Sequence, residues 1–219
     1  MSKINLAGFE QAYFFESDSS EGKLIIGLHG RGDNANSFSG IRYGLRLKDF
    51  SQLYLNAPDE WNVGFARGYS WYDMAPNQLL GIQRSYELLE SLLSELEQRG
   101  YSREKIILFG FSQGCLMSLE LAIRSKRPLM GVIGVSGTIY EVDSLLEKQQ
   151  EGCKQTPFFI THGFGDDILP FDNSKIAYEK ISKYLPDFEF KALPKEHNIA
   201  DVEWEWYQSK ISDWSRRHK

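Results

Sequence analysis

Lys105-Ile106-Ile107-Leu108-Phe109-Gly110-Phe111-Ser112-Gln113-Gly114-Cys115-Leu116-Met117 is the stretch whose reading decides the fold. Its first half is a short, Ile-rich apolar run, the pattern of a strand covered on both faces. Its second half continues through Leu119, Leu121, Ala122 and Ile123, apolar nearly all round a helix, which predicts a central, buried helix. Between them lies Gly110-Phe111-Ser112-Gln113-Gly114, a G-x-S-x-G sequence. Such a junction holds a hydroxyl at a sharp strand-to-helix turn, and the flanking glycines let the backbone turn without a Cβ clash. The helix N-terminus behind it points N–H groups toward any oxyanion formed there. The bare motif arises by chance at ~0.07 in a chain of this length. Its position between a strand and a helix is what makes Ser112 a candidate nucleophile; the plainer alternative is a serine that only caps the helix.

The same alternation runs outward in both directions. Strands are expected at Lys23–Leu28, Gln52–Leu55, Gly131–Val135, Pro157–Thr161 and Phe188–Ala192, with Phe9–Phe15 as an edge strand. A helix is expected over Leu79–Gln98, where Leu79, Ile82, Tyr86, Leu89, Leu93 and Leu96 recur at spacings of three and four. Gly100 stops it. Two more helices are expected over Asn173–Tyr184 and Val202–Trp214. Strand alternating with helix predicts a mostly parallel α/β sheet with helices on both faces, its ligands outside the carboxyl ends of the strands. With no repeat or linker, residues 1–219 read as one domain.

Composition narrows the class. The 219 residues are 42% hydrophobic and 14% aromatic, which excludes disorder, and a net charge of −5 with interspersed signs argues against a nucleic-acid surface. The basic end, Arg216-Arg217-His218-Lys219, reads as a solvated helix terminus. Cys115 and Cys153 have no metal-ligand spacing and read as reduced thiols. Neither a signal peptide nor a ~20-residue apolar span is visible, so the protein is expected in the cytoplasm without stable membrane insertion.

A serine nucleophile needs a base and an orienting acid, in the chain order serine, acid, histidine when it sits on such a turn. Beyond Ser112, the histidines late enough are His197 and His218, and a solvated terminus accounts for His218. His197 lies in the turn-rich segment Leu193-Pro194-Lys195-Glu196-His197-Asn198. The acid is expected after the fifth strand, where Asp166 and Asp167 are adjacent and spacing alone does not choose between them. His162 in that segment reads as a buried imidazole bonded to backbone. The two oxyanion donors are expected from the N–H of Gln113 and from the loop His29-Gly30-Arg31-Gly32-Asp33, with Arg31 donating through its backbone. That loop lacks the G-x-G-x-x-G and GK[ST] signatures of phosphate binding.

Taken in order, several segments resemble the phospholipase/carboxylesterase family of α/β-hydrolases, which includes the acyl-protein thioesterases. They are Leu28-His29-Gly30-Arg31-Gly32-Asp33, Asn56-Ala57-Pro58, Trp71-Tyr72-Asp73, Gly110-Phe111-Ser112-Gln113-Gly114, Ser136-Gly137, His162-Gly163 with Asp166 and Pro170, and His197. The resemblance implies an α/β-hydrolase fold, Ser112 as nucleophile, His197 as base, and Asp166 rather than Asp167 as acid. It also implies oxyanion donors at Arg31 and Gln113, no cofactor or metal, and an ester or thioester substrate with an acyl chain. The sequence departs from the family at Arg31, where an apolar residue is usual, at Cys115, where a second glycine is common, and in a shorter stretch between Asp73 and Gly81. The thioesterases' natural substrate is therefore not carried over. Trp61, Phe65, Tyr69, Trp71 and Tyr72 could wall an apolar pocket, with Trp71, Tyr72 and Phe65 its named candidates; the exposed aromatics would otherwise serve a homodimer or ordinary loop packing. The competing functions are a non-catalytic small-molecule receptor on the same fold and a hydrolase of lactones or peptides.

Overall fold

The apolar run before Ser112 forms a strand at the centre of an eight-stranded sheet in the computed structural model, which describes residues 2–217. The strands are β1 (Ser2–Leu6), β2 (Phe9–Phe15), β3 (Leu24–Leu28), β4 (Ser51–Leu55), β5 (Asp59–Glu60), β6 (Tyr69–Ser70), β7 (Ile106–Phe111), β8 (Gly131–Val135), β9 (Phe158–Gly163) and β10 (Phe188–Leu193). The main sheet has the order β1-β2-β4-β3-β7-β8-β9-β10, while β5 and β6 form a separate antiparallel hairpin. From β4 to β10 all neighbours are parallel, and β2 runs antiparallel to both β1 and β4.

The helices are α1 (Ala35–Phe38), α2 (Arg42–Leu45), α3 (Gln78–Gln98), α4 (Gln113–Ile123), α5 (Val142–Glu147), α6 (Phe171–Ile181) and α7 (Glu203–Arg217). They cover both faces, which is why β3 and β7 are continuously apolar. On one face Leu24, Ile26, Leu28 and Leu108 pack with Leu89 and Leu93 of α3, Leu116 and Leu119 of α4, and Tyr178 of α6. On the other, Ile25, Ile107 and Phe109 pack with Phe38 of α1 and Tyr207, Ile211 and Trp214 of α7. Alternating side chains thus both find cores. Helix α4 is buried almost all round, as its composition predicts.

Some expectations shift. The α3 stripe is buried at Ile82, Leu89, Leu93 and Leu96 and half-buried at Tyr86, but Leu79 at its start is exposed. The strand β1, the β5–β6 hairpin and the helices α1, α2 and α5 were not anticipated. The hairpin strands and these helices are too short for periodicity to register. The basic end is partly visible: Arg217 bonds Asp187 at 2.7 Å and Arg216 bonds Asp213, while His218 lies outside the described residues. Among the described residues no helix is long and apolar enough to cross a membrane.

The chain order changes direction between β3 and β7: β4 is added on one side of β3, and β7 to β10 on the other. Loops leaving adjacent β3 and β7 at their carboxyl ends therefore diverge and leave a crevice, the ordinary ligand position of such sheets. The loop His29–Asp33 and Ser112 stand at that point.

Phe109 is wholly buried, with its ring 5.3 Å from that of Tyr207 and 6.5 Å from that of Trp204. Phe109→Ala should lower unfolding stability by about 3–5 kcal/mol, read as a lower urea midpoint at unchanged slope.

Candidate active site

The turn at Ser112 is set by close packing. A Cβ on Gly110 would run into the Gly114 carbonyl, and one on Gly114 into the carbonyl of Leu28 at the end of β3. Only glycine at both positions lets α4 start directly against the sheet. Ser112 itself sits at φ 53° and ψ −116°, a backbone region that L-residues avoid. Its N–H donates to the Val135 carbonyl at 2.9 Å, which anchors the turn to β8.

His197 reaches this hydroxyl from the loop after β10. Its Nε2 lies 2.9 Å from Ser112 Oγ, and its Nδ1 lies 2.8 Å from Asp166 Oδ2. An ionised carboxylate only accepts, so Nδ1 carries the hydrogen and the Nε2 lone pair faces the serine hydroxyl. The ring of Phe111 lies 5.1 Å from the imidazole. Asp166 is buried, and its other oxygen accepts from the N–H groups of Ile168 at 3.1 Å and Leu169 at 2.8 Å. Those bonds leave Oδ2 aimed at the imidazole. Asp167 is exposed. His162 is buried with Nε2 2.8 Å from the Leu169 carbonyl and 3.3 Å from Asp166 Oδ2; burial holds its pKa below the ordinary value, against the pull of that carbonyl and of Asp166. It is a backbone-bonded imidazole beside the carboxylate.

The two expected N–H donors also stand at the crevice. No acceptor among the described residues takes the N–H of Arg31 or of Gln113. The loop that carries Arg31 is held by His29, whose Nδ1–H donates to the Gly30 carbonyl at 2.7 Å while Nε2 accepts from the Ala57 N–H at 3.1 Å. The Gly30 carbonyl and the Arg31 N–H belong to one rigid peptide plane, so the imidazole that fixes the first orients the second. Burial pushes the pKa of His29 below its ordinary value, more than its bond to the Gly30 carbonyl and the charge of Asp33 raise it. The Gln113 side chain binds the end of β6 and the segment after it: Oε1 accepts from Trp71 N–H at 3.0 Å and Ser70 Oγ at 3.1 Å, and Nε2 donates to the Tyr72 carbonyl at 2.8 Å.

Those bonds decide where the aromatic candidates go. Trp71 is wholly buried and donates its indole N–H to the His29 carbonyl at 2.9 Å. Tyr72 is buried as well, against Tyr140 at 6.3 Å between rings. Phe65 projects fully into solvent from the hairpin tip. A cavity of about 570 Å³ opens instead between the segments after β8 and β9, with Ile139, Tyr140, Val142, Leu169, Pro170 and Ile176 among its walls. Trp71, Tyr72 and Phe65 do not line it.

Sequence reasoning missed the polar cluster beneath His197. Buried Lys195 donates to both carboxylate oxygens of Glu203 at 2.9 Å and to the Asn198 carbonyl at 2.8 Å. Glu203 also accepts from the Ala200 N–H and from the Tyr207 hydroxyl, both at 2.6 Å. Burial lowers the Lys195 pKa, opposed by Glu203. These bonds grip the loop on both sides of His197. A lysine eight residues before a glutamate carries no signal until the fold closes the loop.

A family model described as Phospholipase/Carboxylesterase matches residues 10–215. The chain is 30% identical to acyl-protein thioesterase 1 of Yarrowia lipolytica over 198 residues, covering 84% of this chain and 82% of that protein. It is 35% identical to the enzyme of the same name from Aspergillus fumigatus over 196 residues, 81% of each chain. Among solved structures, esterase PE8 superposes with a TM-score of 0.80 at 26% identity, covering 92% of this chain and 97% of that one. SOBER1 of Arabidopsis thaliana has the same fold, with a TM-score of 0.80 at 23% identity over 88% of this chain and 99% of that one.

Two outcomes follow from the geometry. Ser112→Gly should be more stable than Ser112→Ala by about 1 kcal/mol, because only glycine relaxes the positive φ; paired thermal melts measure the difference. His29 and His162 stay neutral in the fold but protonate readily once unfolded. Stability should therefore be full above pH ~6.5 and decline as pH falls through that value toward their depressed folded pKa values, by up to about 1.4 kcal/mol per pH unit for each. Urea midpoints between pH 7.5 and 5.5 report it, and His29→Asn should give the shallower slope.

Proposed function

We propose that this chain, which belongs to the phospholipase/carboxylesterase family, hydrolyses acyl ester and thioester bonds through Ser112, His197 and Asp166. The observation that carries the proposal is the continuous hydrogen-bonded line Ser112 Oγ–His197–Asp166, with steps of 2.9 and 2.8 Å, at the topological crevice of the sheet. The names of the relatives, acyl-protein thioesterase and esterase, are of the same reaction class.

In this reading His197 Nε2 takes the Ser112 proton as Oγ bonds to the substrate carbonyl carbon. Asp166 holds the imidazole in place and balances its positive charge. The carbonyl oxygen, now an oxyanion, accepts from the N–H groups of Arg31 and Gln113, which have no other acceptor among the described residues. Collapse breaks the bond to the alcohol or thiol, which leaves with the proton from His197. Water then attacks the acyl-enzyme with His197 again as base, releasing the carboxylic acid and restoring the Ser112 hydroxyl. The cavity behind Leu169 and Ile139 supplies apolar surface for an acyl chain. The sheet and both helical layers act together as one catalytic domain without a cofactor. The enzyme works in the cytoplasm, where its two buried, unbridged cysteines stay reduced.

Ser112→Ala should reduce kcat for short p-nitrophenyl esters by about 10⁴-fold or more while the fold survives, and should abolish labelling by a fluorophosphonate probe. Asp166→Asn should impair kcat far more than Asp167→Asn. Near-wild-type turnover by purified Ser112→Ala, or an idle serine that never labels in the wild type, rejects the reading in favour of a receptor.

A further inference from the structure

Arg31 stands apart from every other arginine among the described residues. Arg42 and Arg46 donate to backbone carbonyls. Arg67, Arg84, Arg99, Arg103, Arg124, Arg127, Arg216 and Arg217 each bind a carboxylate. The guanidinium of Arg31 binds neither, and its Nε is buried without an acceptor. No carboxylate among the described residues pairs with it: Asp33, two residues on, accepts from the Asn34 N–H through Oδ1, Asp59 is engaged by Arg84, and Glu60 by Arg67.

The side chain is nevertheless held. Its guanidinium carbon lies 3.7 Å from the centre of the Trp61 ring, a cation–π contact that favours this position of the fork. The backbone around it is equally constrained. Gly32 donates its N–H to the Tyr69 carbonyl at 2.8 Å. On the other side, a Cβ on Gly30 would come within 3.3 Å of the Ser112 Cβ. The loop backbone at Gly30 thus runs beside the nucleophile, and the next residue carries a half-buried cation, paired with no carboxylate among the described residues, that rests against Trp61. Its charge reaches Tyr72, where it works against the upward push of burial on that phenol's pKa.

A buried donor left unpaired is costly, and a guanidinium with free N–H groups binds carboxylates and phosphates in a two-pronged fashion. We propose that Arg31 makes this site selective for anionic esters, substrates that carry a carboxylate or phosphate a few bonds from the scissile carbonyl. The inference rests on the hydrolase reading above. The anion completes the hydrogen bonding of the Arg31 fork while the ester carbonyl enters the N–H pair of Arg31 and Gln113. One residue then sets both the electrostatics of the oxyanion and the choice of substrate.

The test compares kcat/KM for matched esters on wild type, Arg31→Leu and Arg31→Lys. One arm places the anion on the leaving group, 4-carboxyphenyl butyrate against its neutral 4-methoxycarbonylphenyl analogue. The other places it on the acyl side, mono-p-nitrophenyl adipate against p-nitrophenyl hexanoate. Intrinsic reactivity, and any general damage to the oxyanion loop, cancel when the anion-to-neutral ratio of a variant is divided by that of the wild type. The ratio should fall tenfold or more in Arg31→Leu on one arm, recover in part in Arg31→Lys, and fall in wild type as salt rises. The arm that responds says which side of the bond carries the charge. A ratio equal in wild type and Arg31→Leu on both arms overturns the proposal while leaving the hydrolase intact. Absence of turnover on all four esters, together with no fluorophosphonate labelling of Ser112, removes the hydrolase reading and this inference with it.

Discussion

The direct contact of the α4 N-terminus with the end of β3 is the constraint on which the site depends. Gly114 touches the Leu28 carbonyl with no room for a side chain, and Gly110 is closed in by Gly114. Between them Ser112 is held at φ 53°, a conformation that costs about 1–3 kcal/mol and persists only because its surroundings over-determine it. Burial of α4 on almost every side supplies that determination: the helix cannot slide or tilt to relax the turn. The strain keeps the serine oxygen clear of the helix and the sheet, in the crevice where the loops of β3 and β7 part.

Around this fixed point, each remaining polar group is held by a different piece of chain. The imidazole of His197 comes from beyond β10, the carboxylate of Asp166 from beyond β9, and the Arg31 N–H from beyond β3. Loops alone would leave such groups mobile, so each is tied down by buried hydrogen bonds. Lys195 and Glu203 grip the loop of His197, Ile168 and Leu169 orient Asp166, and His29 fixes the Gly30–Arg31 peptide plane. Pre-set donors of this kind need no reorganisation as charge develops in a reaction.

The β5–β6 hairpin and its exit link the crevice to the outer surface. Gln113 clamps Ser70, Trp71 and Tyr72, and Trp71 in turn bonds the His29 carbonyl. Trp71, one of the aromatic residues expected as pocket walls, thereby braces the loop of Arg31. The apolar cavity forms elsewhere, between α5, α6 and the segments that lead into them. Trp61 on the same hairpin has a further use, as the platform for the Arg31 guanidinium.

The sequence by itself determined the layout of the sheet and the chain positions of the candidate triad. Apolar runs such as Leu24–Leu28 and Ile106–Phe109 can only be strands buried on both faces, and strand ends in such a sheet are where Ser112, Asp166 and His197 fall. Family resemblance, not spacing, separated Asp166 from Asp167. The tertiary structure alone decided that Asp166 is buried and bonded while Asp167 faces solvent, that Trp71 and Tyr72 are buried, that Lys195 pairs with Glu203, and that Arg31 pairs with no carboxylate among the described residues. The physical reason is common to these cases. Periodicity reports which face of an element is covered by its neighbours. Pairing among polar side chains depends on distances between segments far apart in the chain, and those exist only once the sheet has brought its loops to one rim.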